Sequence, residues 1–413
     1  MALFFILSLL LLSVAINSFA YEAEREVDRF QVIWNTPSLT CIKRYNITIP
    51  LARYGIKFNR DEAFSGDEVT VFYSTQLGLY PYISTENHAR IINGGIPQKV
   101  NMGHHFAKMR LDIRKKLPKK NFAGIAVIDW EDWRPLWESN FGKKTVYRKL
   151  SIEFVKKRYP LIPAKRVRDR ARHEFNKAAR KLMLQTIHYA KKLRPLAKWG
   201  FYGFPYCHCD LIGKGRCNEQ SLHENDRMHW LFDASVALYP TIYLYRSQMS
   251  WLQYDRHQYV QAVMEETLRM TKDAKRPYFA FTKFTYDPYA EDMLFYREMD
   301  LCTTLQQTAD LGGSGVVVWS STSSTSSASK CKQIAEYMKN LFGPTSHRVI
   351  QGAQKCSNDR CSGHGACVRT PLPNCNFTSA IDQFNCLCDL GYHGNRCDNI
   401  NLYNNNTEQL SSI

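Results

Sequence analysis

The chain has 413 residues and a mass of 48.0 kDa, enough for one large domain and a small one. Its 55 Lys and Arg against 38 Asp and Glu leave a formal charge of +17, which suits an anionic partner: nucleic acid, an acidic polysaccharide or a lipid surface. Beyond the first 20 residues no apolar run is long enough to span a bilayer, so the sequence gives no sign of a membrane anchor.

Residues 1–20 are uncharged, rich in Leu, Ile and Phe, and end in Ser18-Phe19-Ala20, the pattern of a cleaved secretory signal peptide. Thirteen cysteines fit the oxidising route that such a signal opens. Asn46, Asn376 and Asn405 each begin a glycosylation sequon. The expected product is therefore a soluble protein, secreted or delivered to a lumenal compartment such as the lysosome. Secretion weakens the case for nucleic acid.

In chain order, residues 30–34 read as a first strand, and residues 69–73 as a second that ends in Tyr73. A basic amphipathic helix over 104–113 precedes an apolar run at 122–128. Residues 164–193 repeat apolar positions every three or four residues (Val167, Ala171, Phe175, Ala178, Leu182, Tyr189, Leu193), with Arg and Lys on the other faces. That helix reads as a solvated outer element rather than a dedicated binding face. Strands follow at 197–205, 236–243, 278–284 and 315–321, separated by helical stretches at 224–234, 259–272, 299–310 and 332–341. Buried strands alternating with amphipathic helices imply a parallel sheet, and this many repeats imply an α/β fold closed into a barrel.

The run at 122–128 ends on two carboxylates, Asp129 and Glu131, which Trp130 and Trp133 are expected to wall. If the strand continues, its period of two places both acids on one face, their α-carbons about 6.5–7 Å apart. A helix cap and a loop ion pair would explain the same residues. In a barrel, however, sites form at the C-terminal strand ends. Tyr73, Asp129 with Glu131, Tyr202, Tyr243, Asp287 and Trp319 all fall there. The adjacent His104 and His105 do not face one another on a helix, and Cys207-His-Cys209 reads as a disulfide loop, so no metal and no cofactor is expected. No nucleophile elbow or phosphate-binding loop is present. Two acids in an aromatic mouth suit glycoside cleavage: one carboxyl protonates the leaving oxygen, and aromatic faces stack on sugar rings. A desolvated Glu131 beside an ionised Asp129 would hold that proton through burial and like charge.

Past residue 350 the cysteines crowd: Cys356, Cys361, Cys367, Cys386, Cys388 and Cys397, with glycines between them. This segment resembles an EGF-like module. The resemblance implies the pairs Cys356–Cys367, Cys361–Cys386 and Cys388–Cys397, and leaves Cys375 over.

The stretches 124–135, 199–207, 238–243 and 315–319 together resemble the animal hyaluronidase family, and the likeness covers nearly the whole mature chain. It implies a distorted TIM-like barrel over 21–350, the EGF-like module over 351–400 and a polar tail over 401–413. It also implies retaining, endo-acting hydrolysis of the β-1,4 bond from N-acetylglucosamine to glucuronate in hyaluronan. Glu131 matches the general acid/base, while Asp129 and Tyr202 match the residues that hold the substrate's acetamido group. The carbonyl oxygen of that group, rather than a protein side chain, attacks the anomeric carbon. Tyr73, Arg134, Tyr243, Asp287 and Trp319 match groove-lining residues, and Cys41–Cys331 and Cys207–Cys217 match the barrel disulfides. After these pairs Cys209, Cys302 and Cys375 remain. The expected partner is hyaluronan, acted on by a monomer. The alternatives are a chondroitin-preferring or chitinase-like enzyme, and a non-catalytic glycan-binding or adhesive protein.

Overall fold

The computed structural model describes residues 28–84, 90–208, 216–271, 275–372, 374–377 and 380–400. The signal peptide, Cys209, Asn405 and the polar tail lie outside these residues. Strands β1 (Gln31–Asn35), β2 (Lys57–Phe58) and β3 (Val69–Tyr73) come first. A hairpin of β4 (Tyr82–Ser84) and β5 (Arg90–Ile92) follows, then β6 (Ile125–Asp129), β7 (Lys198–Phe201), β8 (Phe279–Thr282) and β9 (Gly315–Trp319). One parallel sheet runs β2-β1-β9-β8 and a second runs β3-β6-β7.

Two irregular seams join these sheets into a barrel. The first is the segment 236–243, expected as a strand but present only as single bridges: Tyr202 with Tyr239, Leu238 with Tyr278 and Thr241 with Phe281. Pro240 has no N–H to give to a ladder. Its carbonyl still accepts from the Phe281 amide at 2.8 Å, and the Leu238 carbonyl accepts from Phe279 at 2.9 Å. The packing against β7 is tight, because a Cβ on Gly200 would lie 2.1 Å from the Ala237 carbonyl oxygen. The second seam, between β2 and β3, is closed by one side chain. Asn59 Oδ1 accepts from the Glu68 and Val69 amides, and its Nδ2 donates to the Ala63 and Val69 carbonyls, all at 2.9 Å. A fully buried primary amide is here doing the work of strand-to-strand hydrogen bonds.

The period of two assigns the faces. Ile33, Val69, Val71, Ile125, Val127, Phe279, Phe281 and Val317 fill the barrel interior, with Tyr73, Tyr202 and Trp319 packed on that cluster. Their neighbours Val32, Trp34, Phe72, Ala126, Ile128, Ala280, Val316 and Val318 point outward into the core beneath the helices. The helix Ala164–Leu193 runs its full expected length, burying Val167, Ala171, Phe175, Ala179, Leu182, Ile187 and Ala190 among others. Helix Thr145–Arg158 was not foreseen.

At the N-terminal ends of the strands the barrel is closed by the cysteine-rich tail. The helix Gly343–Cys361 passes through residue 351 without a break and carries Cys356 and Cys361 into the tail. There β10 (Gly365–Val368) pairs with β11 (Asn385–Cys388), and β12 (Tyr392–His393) with β13 (Asn399–Ile400). The pairs Cys41–Cys331, Cys207–Cys217, Cys356–Cys367, Cys361–Cys386 and Cys388–Cys397 form as expected. Cys302 and Cys375 are not left over: they form a sixth bridge between barrel and tail, a pairing hidden by their separation of 73 residues. Arg369 adds a buried ion pair with Asp310, and Arg29 pairs with Asp389 at 2.7 Å.

Candidate active site

Strands β3, β6 and β9 deliver their last residues, Tyr73, Asp129 and Trp319, to one cleft of about 610 Å³ at the opposite end of the barrel, whereas Asp287, expected at a strand end, enters it from the loop after β8. The alternation that buries Val69 and Val71 inside the barrel turns Tyr73 inward, and the same rule carries Asp129 from Val127 and Trp319 from Val317. The β3–β6 register sets Tyr73 directly beside Asp129. Across the mouth, Trp319 Nε1 donates to Tyr73 Oη at 3.1 Å, and the Trp319 ring stacks on Tyr243 at 6.3 Å. Tyr202 stands edge-on to Phe281 at 5.0 Å. Tyr73, Asp129, Glu131, Tyr202, Tyr243, Asp287 and Trp319 thus line one cavity.

Three expectations about the central stretch need correction. β6 stops at Asp129, so Glu131 reaches the cleft from a loop and not from a continuing strand. Trp130 and Trp133 do not wall the acids. Trp130 follows an inward residue and therefore points outward, where it stacks on Tyr80 at 4.5 Å, while Trp133 packs on the same ring at 5.4 Å. The burial of the acids is also the reverse of the expected one: Glu131 is exposed, and Asp129 is the desolvated member. Burial, then the negative charge of Glu131, pushes the Asp129 carboxyl well above the usual carboxylate range, against the pull of Arg134.

Arg134 is not among the cleft-lining residues. Its guanidinium lies over the Tyr206 ring at 4.8 Å, behind the acids. The loop that holds it is fixed by Asn140, whose Oδ1 accepts from the Arg134 amide at 2.8 Å and whose Nδ2 donates to the Arg134 and Leu136 carbonyls. Lys144 adds hydrogen bonds to the Glu131 and Asp132 carbonyl oxygens. Among the described residues neither Asp129 nor Glu131 takes part in an ion pair within 4 Å, so both carboxylates remain available to a ligand.

The sequence reading missed Tyr245, Arg246, Lys283, Tyr286 and Tyr289, all of which line the cleft. Lys283 left a signal, a lone cation in the apolar run 278–284. It is 3% exposed, donates to the Tyr286 carbonyl at 3.0 Å, and lies 5.0 Å from the Tyr243 ring and 4.6 Å from the Tyr245 ring. Burial lowers its pKa to about 8, against the opposing effect of Asp287. Tyr202 and Tyr243, pushed well above the usual tyrosine range by burial, stay protonated and can donate hydrogen bonds.

A parallel barrel whose strand ends present two acids, a row of tyrosines and a tryptophan defines a carbohydrate-cleaving hydrolase of the two-carboxylate class. Residues 24–379 match the family Glyco_hydro_56, described as Hyaluronidase, and the chain belongs to that family. It is 35% identical over 382 residues to a Chondroitin hydrolase of Caenorhabditis elegans, covering 90% of this chain and 80% of the relative. It is 35% identical over 386 residues to Hyaluronidase-3 of Sus scrofa, covering 89% and 90%. The crystal structure of bee venom hyaluronidase in complex with a hyaluronic acid tetramer superposes with a TM-score of 0.71 at 30% identity, over 78% of this chain and 99% of that one.

Proposed function

We propose that the protein is a secreted, endo-acting hyaluronidase that cleaves the β-1,4 bond from N-acetylglucosamine to glucuronate with retention of configuration. The observation that carries this reading is the unpaired Asp129–Glu131 couple inside the tyrosine-rich cleft. Raised by burial and by Glu131, the Asp129 carboxyl lets the pair retain one proton where two isolated acids would have lost both. With a sugar seated in the cleft, the proton held at Asp129 passes to Glu131, which presents it to the glycosidic oxygen. In the first step that proton passes to the leaving oxygen, the bond from C1 breaks, and the acetamido carbonyl oxygen bonds to C1. Asp129, now ionised, accepts from the acetamido N–H, and Tyr202 donates to the same group. In the second step Glu131 takes a proton from water, whose oxygen attacks C1 and reopens the ring. Lys283 offers its ammonium to the glucuronate carboxylate, and Trp319 and Tyr243 supply faces for sugar rings.

Secretion is supported by the signal peptide at 1–20 and by six disulfides. No helix among the described residues is long and apolar enough to cross a membrane. Asn46 and Asn376 are exposed, as glycan acceptors must be. We read residues 351–400 as an EGF-like module that braces the barrel.

A zymogram in hyaluronan gel across pH, with Glu131→Gln beside the wild type, tests the reading. A cleared band from the wild type alone, with polymer binding kept by the variant, is the expected result. Equal clearing by both removes Glu131 as the acid. The Chondroitin hydrolase relative favours one second reading, a preference for chondroitin. Faster product release from chondroitin than from hyaluronan would establish that preference.

A further inference from the structure

On the outer wall of the barrel, away from the acids, lies an open groove of about 950 Å³. Lys177, Arg180 and Lys181 project into it from the helix Ala164–Leu193, and Arg172, Arg227 and Trp230 complete its sides. Pro135 and Leu136 contribute apolar surface. They belong to the loop that carries Glu131 and Arg134, yet no residue of the groove lines the catalytic cleft.

The charges divide into two sets. Arg172 and Arg227 both pair with Glu138, at 2.6 and 3.3 Å, and their role is to hold helix and loop together. Lys177, Arg180 and Lys181 are exposed and make no ion pair within 4 Å among the described residues. Lys177 faces Arg180 and Lys181 at helical spacings of three and four, and each of these two like-charge pairs is unfavourable to the helix. A merely solvated face has no need of such a cluster beside an aromatic ring. Here the Arg180 guanidinium lies 5.5 Å from the Trp230 ring, which is half-buried against the core. Asp169 is the one carboxylate among the groove-lining residues.

Cations clustered on one helix face, without ion-pair partners among the described residues, next to an indole and an apolar floor match a polymer that alternates carboxylates with the apolar faces of sugar rings. We propose that this groove is a second, non-catalytic binding site for an acidic polysaccharide, occupied by a distant segment of the chain being cut. The idea rests on the proposed glycosaminoglycan substrate. Holding the polymer at two places converts the second contact into an intramolecular one and raises the local concentration of cleavable bonds at the cleft.

The test is the triple variant Lys177→Gln/Arg180→Gln/Lys181→Gln, whose positions are all exposed and outside the cleft. At low salt its KM for high-molecular-weight hyaluronan should rise about five- to tenfold, because two-site avidity is lost. Its kcat and KM on a hyaluronan octasaccharide should stay unchanged. An unchanged KM for the polymer, or equal rises for polymer and octasaccharide, overturns the proposal. Binding of fluorescent high-molecular-weight hyaluronan and chondroitin sulfate to Glu131→Gln, with and without the triple substitution, gives a readout free of turnover. Weaker binding in the combined variant supports the groove even if the wild type proves to cleave neither polymer, and identical binding overturns it even if the enzyme is active.

Discussion

The two ends of this barrel treat charge in opposite ways. At the base, Asp310 and Arg369 are both 6% exposed and paired to one another, and the Cys302–Cys375 bridge fastens the same region. At the mouth, Asp129 and Glu131 stand close enough to raise the proton affinity of Asp129, and among the described residues neither takes part in an ion pair within 4 Å. Buried charges in a fold are ordinarily neutralised, as at the base. At the mouth the acids lack such a partner among the described residues, and under the proposed function substrate would complete their interactions. The strands between the ends are the same strands. What differs is which residues end them and what covers them.

Substitutions at the two ends should therefore separate activity from stability. The largest effect is expected at the mouth, where Glu131→Gln should lower turnover by roughly 10³-fold, while the thermal midpoint stays near that of the wild type. A large fall in the midpoint would mean that Glu131 is structural and would erase the contrast. At the base, Asp310→Ala strands Arg369 in a buried site and should cost about 3–5 kcal/mol in denaturant unfolding, with kcat unchanged at a temperature where the variant is folded. Replacing Cys302 and Cys375 together by Ala should cost about 2–4 kcal/mol, again without an effect on kcat.

The smallest effect sharpens the picture of the mouth. Lys283 is charged below its pKa of about 8 and neutral above it, so affinity for an acidic sugar should fall as pH rises through that value. Titrating hyaluronan oligosaccharide binding to Glu131→Gln from pH 6 to pH 10 checks this. Loss of one charged hydrogen bond predicts a weakening of roughly tenfold. Lys283→Arg, which stays charged, should remove the pH dependence. A pH profile that is the same for Lys and Arg would exclude Lys283 as the titrating group.

Strand ends were legible because the rule behind them is local. An apolar run of fixed period, halted by Tyr73, Asp129 or Trp319, already says which residues share a face. Segment 236–243 also read as a strand, since its composition is that of one, yet Pro240 reduces it to isolated bridges. Arg134, five residues beyond the end of β6 at Asp129 and so outside any periodic element, lies over Tyr206 and not among the cleft-lining residues. Lys283 carried a local signal, a cation in an apolar run, but only its aromatic neighbours give that signal a purpose.

The sequence alone determined most of the alternation of strands and helices and the resemblance to the family, because these depend on spacing and motifs within short windows. Only the tertiary structure decided how the barrel closes: Asn59 bridges β2 to β3 across ten residues, a link that no periodicity contains. It decided the partner of Cys302, which lies 73 residues away. It also decided which acid is desolvated. Asp129 and Glu131 are equivalent by charge and nearly so by position, and burial raises the Asp129 carboxyl only because the strand ends there, while the loop lifts Glu131 into the open cleft.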